Sequence, residues 1–283
     1  MDAQFVGALL SPFVLALLGL CIGSFLNVVI HRLPMMLERG WKADSADMLG
    51  VKIDESEALT LSTPRSRCPS CGHRIPWYEN IPVLSYLWLR GKCSACKAAI
   101  SPRYPLVEIL TGGLFAAIGW RFGATATALL WCGFAAVLVA LAGIDWDTTL
   151  LPDNLTLPLL WAGLVASALG WTVSLPDALW GAVAGYLSLW SVYWLFKLTT
   201  GKEGMGFGDF KLLAALGAWL GLKMVLPVVL AASVLGAIVG IGMKLASTLR
   251  EGRYVPFGPF LAGAGLVVLL AGQPRVLGWL GWA

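Results

Sequence analysis

Long apolar stretches, each close to the length needed to cross a lipid bilayer, are the feature of this sequence that most constrains its fold. A helix needs about 20 mostly apolar residues to cross a hydrocarbon core about 30 Å thick. Eight stretches approach this length: residues 5–30, 106–120, 124–143, 155–171, 178–198, 210–222, 224–246 and 257–270. A helix also satisfies all of its backbone hydrogen bonds internally, as the bilayer requires. The sequence therefore predicts an all-α polytopic membrane protein with eight transmembrane helices.

The composition excludes several other classes of protein. Hydrophobic residues make up 58% of the 283 residues and charged residues only 13%, whereas soluble domains contain about 25% charged residues. The net charge of +4 is too small to indicate a nucleic-acid partner. Six cysteines are too few for a disulfide scaffold. We therefore exclude a soluble globular enzyme, a disordered protein and a nucleic-acid-binding module, and expect the lipid bilayer as the surroundings.

The basic residues are divided unequally between the two sides of the predicted membrane. If the long segment 31–104 is cytoplasmic, 17 of the 20 Lys and Arg residues lie on the cytoplasmic side. Such an excess is typical of cytoplasmic loops. We therefore expect both termini on the periplasmic or exterior face. The first span is expected to remain as an anchor, because residues 1–4 lack the basic charge of a signal peptide.

Four cysteines in the long segment form two C-x2-C pairs separated by 21 residues. They are Cys68, Cys71, Cys93 and Cys96. This spacing is typical of a tetrahedral zinc site, with a pair of reduced or redox-active dithiols as the alternative. Four thiolates leave no open coordination position, so the zinc is expected to be structural and to supply much of the folding energy of the cytoplasmic loop domain.

Most of the remaining acidic residues fall in two short loops between predicted spans. The acids are Asp145, Asp147 and Asp153 in residues 143–154, and Glu203 and Asp209 in the glycine-rich residues 201–211. Two predicted spans separate the loops, so both lie on the cytoplasmic face. Acids at membrane depth are candidates for function. Two carboxylates from different helices can share a proton and activate water for attack on a peptide carbonyl.

Most of these acids also have a purely structural interpretation. Asp153 or Asn154 suits the N-cap of the fourth span, and Asp209 suits that of the sixth. Asp147 is interpreted as a solvated loop acid. Asp145 is harder to explain structurally, because it follows the C-terminal end of the third span, where the helix dipole disfavours an anion.

Two further features lie near the start of the second predicted span. The apolar segment 83–89 is too short to cross a membrane. We expect it to be a re-entrant or interfacial piece, or the small core of the loop. Glu108 is placed in the first turn of the span, where the helix dipole favours an acid, and is interpreted as structural.

Together these motifs resemble those of the type IV prepilin peptidases, the bifunctional leader peptidase and N-methyltransferase enzymes. The resemblance runs through nearly the whole chain. It is carried by the two cysteine pairs and by residues 23–34, 91–92, 103–108, 144–145, 151–153 and 206–211. The combination of a Gly-x-Gly-Asp motif with a four-cysteine loop makes it specific.

The resemblance implies an intramembrane aspartic protease with Asp145 and Asp209 as its catalytic pair. It implies cleavage of the basic leader from type IV prepilins and type II secretion pseudopilins after a glycine, at the bacterial inner membrane. S-Adenosylmethionine would then methylate the new N-terminal amine. Gly91 and Lys92 are candidates for the methyl-transfer site, although Gly91 also suits a turn, and no S-adenosylmethionine-binding residue is assigned.

Three parts are expected along the chain. They are a transmembrane anchor at 1–30, the cytoplasmic zinc loop associated with methyl transfer at 31–104, and the membrane-embedded peptidase at 105–283. Three other functions remain open at this point. A proton- or ion-coupled transporter would use intramembrane aspartates, a membrane scaffold would dock a partner through the zinc loop, and a peptidase could lack methyl transfer.

Overall fold

The computed structural model describes residues 7, 10–51, 59–246 and 255–282. Its α-helices include α1 (Pro12–Leu49), α2 (Leu84–Trp88), α3 (Arg103–Phe122), α4 (Ala126–Thr148), α5 (Asp153–Ala168), α6 (Leu175–Thr200), α7 (Phe207–Leu220), α8 (Leu222–Leu245), α9 (Gly258–Ala271) and α10 (Gln273–Trp279). A 3₁₀ helix covers Trp77–Asn80. Within the described residues the β structure is confined to two isolated bridges, so the all-α prediction is confirmed.

Four of these helices, α1, α4, α6 and α8, are long and apolar enough to cross a membrane. A fifth span results if α9 and α10, which are bent by 109° at their junction, count as one. Every predicted span overlaps a helix, but α5 and α7 have only 16 and 14 residues. The membrane-protein prediction is confirmed, whereas the number eight stays a prediction. The predicted start at residue 5 and the basic residues Arg250 and Arg253 lie outside the described residues.

Helix α1 continues well beyond the predicted end of the first span at Ile30. Ser11 caps its N-terminus through the N–H of Val14, and Gly50, with φ of 64°, ends it. The segment 31–104 is therefore helical up to Leu49 rather than a loop throughout. The apolar signal stops at the membrane border, but the following Met, Leu, Glu, Arg, Lys and Ala residues are good helix formers and extend the helix.

Two compact units make up the chain, Met1–Ala140 and Leu141–Ala283. In the first unit α1 packs against α3. Their backbones approach closely, since a Cβ atom at Gly19 would lie 2.8 Å from Gly112 Cα. Buried Asn27 of α1 donates its side-chain N–H to the carbonyl of Tyr104 at 3.0 Å. Small residues at such a contact are typical of helix pairs in membranes.

In the second unit α7 is the central helix, contacted by α5, α6, α8 and α9. Eleven of its 14 residues are buried. A helix that is apolar on all sides is stable when protein encloses it. Trp219 of α7 donates its indole N–H to the carbonyl of Leu159 in α5 at 2.8 Å. The enclosed position of α7 places its first turn, which carries Asp209, inside this unit.

Candidate active site and metal centre

Asp145 lies in the last turn of α4, because that helix continues to Thr148. The residue is only 4% exposed. Its Oδ2 atom accepts the backbone N–H of Gly258, the first residue of α9, at 2.9 Å. The C-terminal end of α4 disfavours this anion, but the N-terminal end of α9 favours it. A second helix therefore offsets the unfavourable dipole that makes Asp145 unusual in the sequence.

Asp209 lies in the first turn of α7 and is 8% exposed. The N-cap of this helix is Gly206, so the interpretation of Asp209 as the cap is wrong. The Asp209 carboxylate lies near the cap residue, since a Cβ atom at Gly206 would be 3.9 Å from Oδ2. A glycine at this position leaves room beside the carboxylate.

Leu151 packs between the segments that carry the two buried aspartates. A Cβ atom at Gly208, next to Asp209, would lie 2.7 Å from Leu151 Cβ. One at Gly258, which binds Asp145, would lie 3.2 Å from Leu151 Cδ1. The two carboxylates are close enough to interact electrostatically. The structure thus brings together Asp145 and Asp209, which 63 intervening residues separate in the sequence.

Asp147 and Asp153 have different surroundings from this pair. Asp147 is exposed in the last turn of α4, rather than in a loop. Pro152 is the N-cap of α5 and makes no side-chain cap bond, so the predicted capping by Asp153 or Asn154 is wrong. Both carboxylate oxygens of Asp153 instead accept from Lys211 Nζ at 2.7 Å.

The Asp153–Lys211 ion pair joins α5 to the second turn of α7, and the sequence interpretation missed it. The available signal for an ion pair near this site was Lys211, a basic residue only two positions after Asp209. A second ion pair lies at the start of the glycine-rich segment. Lys197 Nζ donates to Glu203 at 2.8 Å and to the Tyr193 hydroxyl at 3.1 Å. The Lys197 ammonium lowers the pKa of the Glu203 carboxyl.

The four cysteines of the first unit converge on one point. The Sγ atoms of Cys68, Cys71, Cys93 and Cys96 all lie within 4.8 Å of one another. Cys68 Sγ and Cys96 Sγ are 3.8 Å apart, far beyond the disulfide bond length of about 2.05 Å. Four sulfurs at about 2.3 Å from a tetrahedral ion are about 3.8 Å from each other. The cluster therefore fits a metal ion with four thiolate ligands.

Both cysteine pairs share one backbone conformation. The carbonyl of Cys68 accepts from the N–H of Gly72 at 2.9 Å, and that of Cys93 accepts from Lys97 at 3.1 Å. Gly72 and Lys97 have φ of 71° and 62°. The backbone N–H of Cys71 is the main cause that lowers the pKa of the Cys68 thiol to about 6. The N–H of Cys96 likewise lowers the pKa of Cys93. Each turn therefore stabilises a thiolate, the form that binds metal.

Gly91 forms a turn immediately before the second cysteine pair. Its φ is 66°, and its N–H donates to the carbonyl of Tyr86 at 2.9 Å. A Cβ atom here would lie 2.9 Å from the Tyr86 hydroxyl oxygen. These contacts explain the glycine conformationally, while Lys92 beside it is exposed. A part for either residue in methyl transfer stays a prediction.

Comparison with known proteins adds to this geometry. Residues 17–122 match the model of the bacterial peptidase A24 N-terminal domain, and residues 132–241 match that of the type IV leader peptidase family. No solved structure matches the chain. The two matched regions together cover most of the chain, including both aspartates and all four clustered cysteines.

Several relatives are similar over nearly their full length. A Pseudomonas putida protein is 54% identical over 90% of this chain and 89% of its own length. One from Stutzerimonas stutzeri is 53% identical over 94% and 92%, and one from Pseudomonas aeruginosa is 55% identical over 91% and 89%. Each is described as a prepilin leader peptidase/N-methyltransferase. The chain therefore belongs to the type IV leader peptidase family.

Proposed function

We propose that this chain removes the basic leader from type IV prepilins and type II secretion pseudopilins and then methylates the new N-terminus. Relatives more than 50% identical over about nine-tenths of the chain support both activities. The structural observation that carries the peptidase activity is the buried pair Asp145 and Asp209 in one unit. Both acids lie in terminal turns of helices, and nothing in their placement supports the transporter alternative.

In this proposal the two aspartates share one proton. The ionised carboxylate removes a proton from water, whose oxygen attacks the scissile carbonyl carbon, and the protonated carboxyl donates to the carbonyl oxygen. Collapse of the tetrahedral intermediate breaks the C–N bond as the amine takes the proton that was removed from water, and a hydroxyl of the intermediate returns a proton to the other aspartate. The products are the leader with a C-terminal carboxylate and the mature pilin with a free amine. The N–H of Gly258 orients the Asp145 carboxylate.

Methyl transfer follows on the amine that cleavage releases. S-Adenosylmethionine would supply the methyl group, which would pass from its sulfonium sulfur to the neutral amine with S-adenosylhomocysteine as the leaving group. The methylated amine then loses a proton. The residues that bind S-adenosylmethionine are not assigned, so this activity rests on the relatives.

We assign the four clustered cysteines as ligands of a structural zinc ion. The 3.8 Å separation of Cys68 Sγ and Cys96 Sγ suits four Zn–S bonds. Zinc with four thiolates supplies folding energy rather than a site for substrate. It would join the two C-x2-C turns and so hold the segment between α1 and α3 in one conformation.

The proposed location is the bacterial inner membrane, with both termini periplasmic and the metal centre cytoplasmic. The excess of basic residues on one side supports this orientation. It puts Asp145 and Asp209 at the cytoplasmic ends of α4 and α7. A prepilin presents its leader junction at this same border. The expected division into an anchor at 1–30, a zinc loop at 31–104 and a peptidase at 105–283 belongs to this proposal.

The test is leader cleavage of a purified prepilin by the full-length protein in nanodiscs. Asp145→Asn and Asp209→Asn are each expected to lower the rate by at least about 100-fold, because each removes an acid–base group. Asp147→Asn, at an exposed position in the same helix turn as Asp145, is the matched control and keeps its rate. Methylation of a pilin that is already cleaved should continue in all three variants.

Normal cleavage by either folded Asn variant would overturn the assignment of that aspartate. Loss of cleavage in all three variants would indicate a general structural effect instead. A wild-type protein that binds the prepilin but neither cleaves nor methylates it would favour the scaffold alternative.

A further inference from the structure

Two short helices between α1 and α3 expose an unusually apolar surface. Five side chains form it, and we call it the aromatic patch: Trp77, Tyr78, Leu84, Leu87 and Trp88. Trp77 is 80% exposed and Trp88 is 81% exposed. The leucines and the tyrosine are also more than half exposed. The patch therefore does not form the small core of the loop, and that interpretation of segment 83–89 is wrong. Exposed patches of this kind mark interaction sites.

A buried acid of α3 holds the segment that carries the patch. Glu108 lies in the second turn of α3, which begins at Arg103, so its predicted placement in the first turn is wrong. The Glu108 carboxylate instead accepts the N–H of Val83 at 2.8 Å, and the Ser24 hydroxyl also donates to it. Glu108 is only 8% exposed. One end of the patch segment is thus fixed to the packed helices α1 and α3.

Val83 has a strained backbone at this attachment point. Its φ and ψ are 60° and −47°, and the N–H of Leu84 donates to the carbonyl of Pro82 at 2.6 Å. This is a γ-turn with positive φ, a rare and strained conformation, here at a β-branched residue. The strain persists because the Glu108 bond holds the turn. The turn directs the chain from the Glu108 contact into α2, which carries Leu84, Leu87 and Trp88.

The attachment lies beside the apolar part of α1, which is predicted to cross the membrane. Glu108 lies beside Gly23 of α1, since a Cβ atom at Gly23 would be 2.7 Å from Glu108 Cα. The apolar part of α1 ends at Ile30, so Gly23 lies about 10 Å inside that end at 1.5 Å per residue. The loop therefore returns to the membrane border at Val83. Neighbouring side chains of α3, such as Leu106 and Ile109, are exposed and apolar and continue this surface.

The metal centre supports the other end of the patch. Ser94, between the cysteines of the second pair, donates its hydroxyl to Glu79 at 3.0 Å. Glu79 belongs to the 3₁₀ helix Trp77–Asn80, which carries the first two patch residues. The cysteine cluster and Glu108 thus hold the patch from two sides. Because the patch is held at both ends, it can position the loop that carries it against a second phase such as a bilayer.

Charge and residue type favour a bilayer surface as the partner. Residues 77–103 contain one acid, Glu79, and four basic residues: Arg90, Lys92, Lys97 and Arg103. Basic residues near a membrane surface are attracted to anionic headgroups. Trp and Tyr concentrate at the headgroup level, where their rings are apolar and their N–H and O–H groups meet water. A patch that joins two Trp, a Tyr and two Leu to a basic segment matches this chemistry.

We propose that the aromatic patch inserts into the headgroup region of the cytoplasmic leaflet and anchors the four-cysteine centre at the membrane border. The prepilin helix is the competing occupant, and the experiment separates the two. In this arrangement the loop is connected through the backbone to α1 and α3. Lipid holds it at the aromatic patch. The metal centre is then kept beside the membrane surface instead of moving freely in the cytoplasm.

Photocrosslinking in the full-length, metal-loaded protein tests this proposal. The photoreactive amino acid benzoylphenylalanine replaces Trp88 in one variant and Leu87 in another, so that the result does not depend on a single variant folding. Met48 is the matched control, because it is apolar and 90% exposed but lies 18 residues past Ile30, about 27 Å along α1. The variants are irradiated in nanodiscs of phosphatidylethanolamine and phosphatidylglycerol, with and without prepilin.

Mass spectrometry then identifies the adducts. The proposal expects phospholipid adducts at Trp88 and Leu87, with a yield about tenfold above that at Met48, whether or not prepilin is present. Prepilin adducts that replace the lipid adducts would overturn it and identify the substrate as the occupant. A folded protein with no lipid adduct at either patch position, or with equal yields at Met48, would also overturn it.

Discussion

The carboxylate of Asp145 accepts the backbone N–H of Gly258 at 2.9 Å, although 113 positions separate the two residues. Asp145 is at the C-terminal end of α4 and Gly258 is at the N-terminal end of α9. An anion is disfavoured at the first of these helix ends and favoured at the second. The contact therefore both stabilises the buried carboxylate and fixes its orientation.

Replacing Gly258 with Ala is expected to slow leader cleavage without unfolding the protein. The new Cβ atom would lie 2.6 Å from Asp145 Oδ2 and 3.2 Å from Leu151 Cδ1, so the carboxylate must move. A displacement of about 1 Å in a catalytic group can cost about 100-fold in rate. The measurement is kcat for a purified prepilin in nanodiscs, with methylation of a cleaved pilin as a parallel readout.

The matched control for this change is Gly263→Ala, on the same helix α9, where a Cβ atom would meet nothing within 4 Å. It should leave kcat unchanged. If both variants lose activity equally, the effect belongs to the helix and not to the Asp145 contact. An unchanged kcat in Gly258→Ala would show that the carboxylate orientation does not depend on Gly258.

The parts of the fold that follow from local pattern could be predicted from the sequence. Long apolar runs predict membrane helices, and the spacing of the cysteines predicts their cluster, because two short turns bring four thiolates together. The extension of α1 to Leu49 was missed. A polar, solvated helix has no apolar run to reveal it, and only helix propensity indicates that it continues.

The partners of polar side chains could not be predicted in the same way. The unfavourable position of Asp145 at a helix end was visible in the sequence, but its partner Gly258 depends on the tertiary structure that brings the start of α9 to the end of α4. Asp153 was predicted as a cap from its neighbours alone, whereas packing of α5 on α7 brings it to Lys211. Such contacts depend on tertiary structure, which local patterns do not encode.

The ion pair of Asp153 and Lys211 is expected to contribute little to stability. The two side chains are 51% and 30% exposed, and their closest atoms are 2.7 Å apart. Exposed pairs contribute at most about 1 kcal/mol. A double-mutant cycle of Asp153→Asn and Lys211→Met, measured as free energies of unfolding in mixed micelles, should give a coupling below about 1 kcal/mol.

The same pair is expected to matter more for activity, because Lys211 follows Asp209 of the first turn of α7 by only two residues. Each single variant should lower kcat severalfold, and the charge-swapped protein, Asp153→Lys with Lys211→Asp, should recover part of that loss. A swapped protein with less activity than either single variant would argue that Lys211 acts on something other than Asp153.

The close approach of α6 and α7 should make Gly185→Ala destabilising. A Cβ atom at Gly185 would lie 2.6 Å from the carbonyl oxygen of Leu213. This contact is with backbone, so relief requires movement of a whole helix. The free energy of unfolding is expected to fall by about 1–3 kcal/mol. Gly242→Ala in α8, where nothing lies within 4 Å, is the control and should not lose stability. Equal stability of the two variants would contradict tight packing at Gly185.

The left-handed backbone conformation at Gly72 should make metal retention depend on glycine at this position of the first cysteine turn. Gly72 has φ of 71°, and this conformation is less stable by about 1–2 kcal/mol for a residue with a Cβ atom. Gly72→Ala is therefore expected to lose zinc to a chelator about 5- to 30-fold more readily. Gly40→Ala is the control, because Gly40 lies within α1 with nothing within 4 Å. Loss of metal at the same chelator concentration in both variants would contradict this dependence.

The second cysteine turn allows the same argument to be tested in the opposite direction. Lys97 occupies the position equivalent to Gly72 with φ of 62°, and its Nζ donates to the carbonyl of Ser94 at 3.0 Å. Lys97→Ala removes that bond but keeps the strained backbone, whereas Lys97→Gly removes both. The Gly variant should therefore retain zinc more tightly than the Ala variant, by about 5-fold for 1 kcal/mol of strain. Chelator competition followed by released zinc measures the ratio. Equal retention by the two variants would mean that the positive φ at Lys97 carries no cost, and that the turn is held entirely by its hydrogen bonds and the metal.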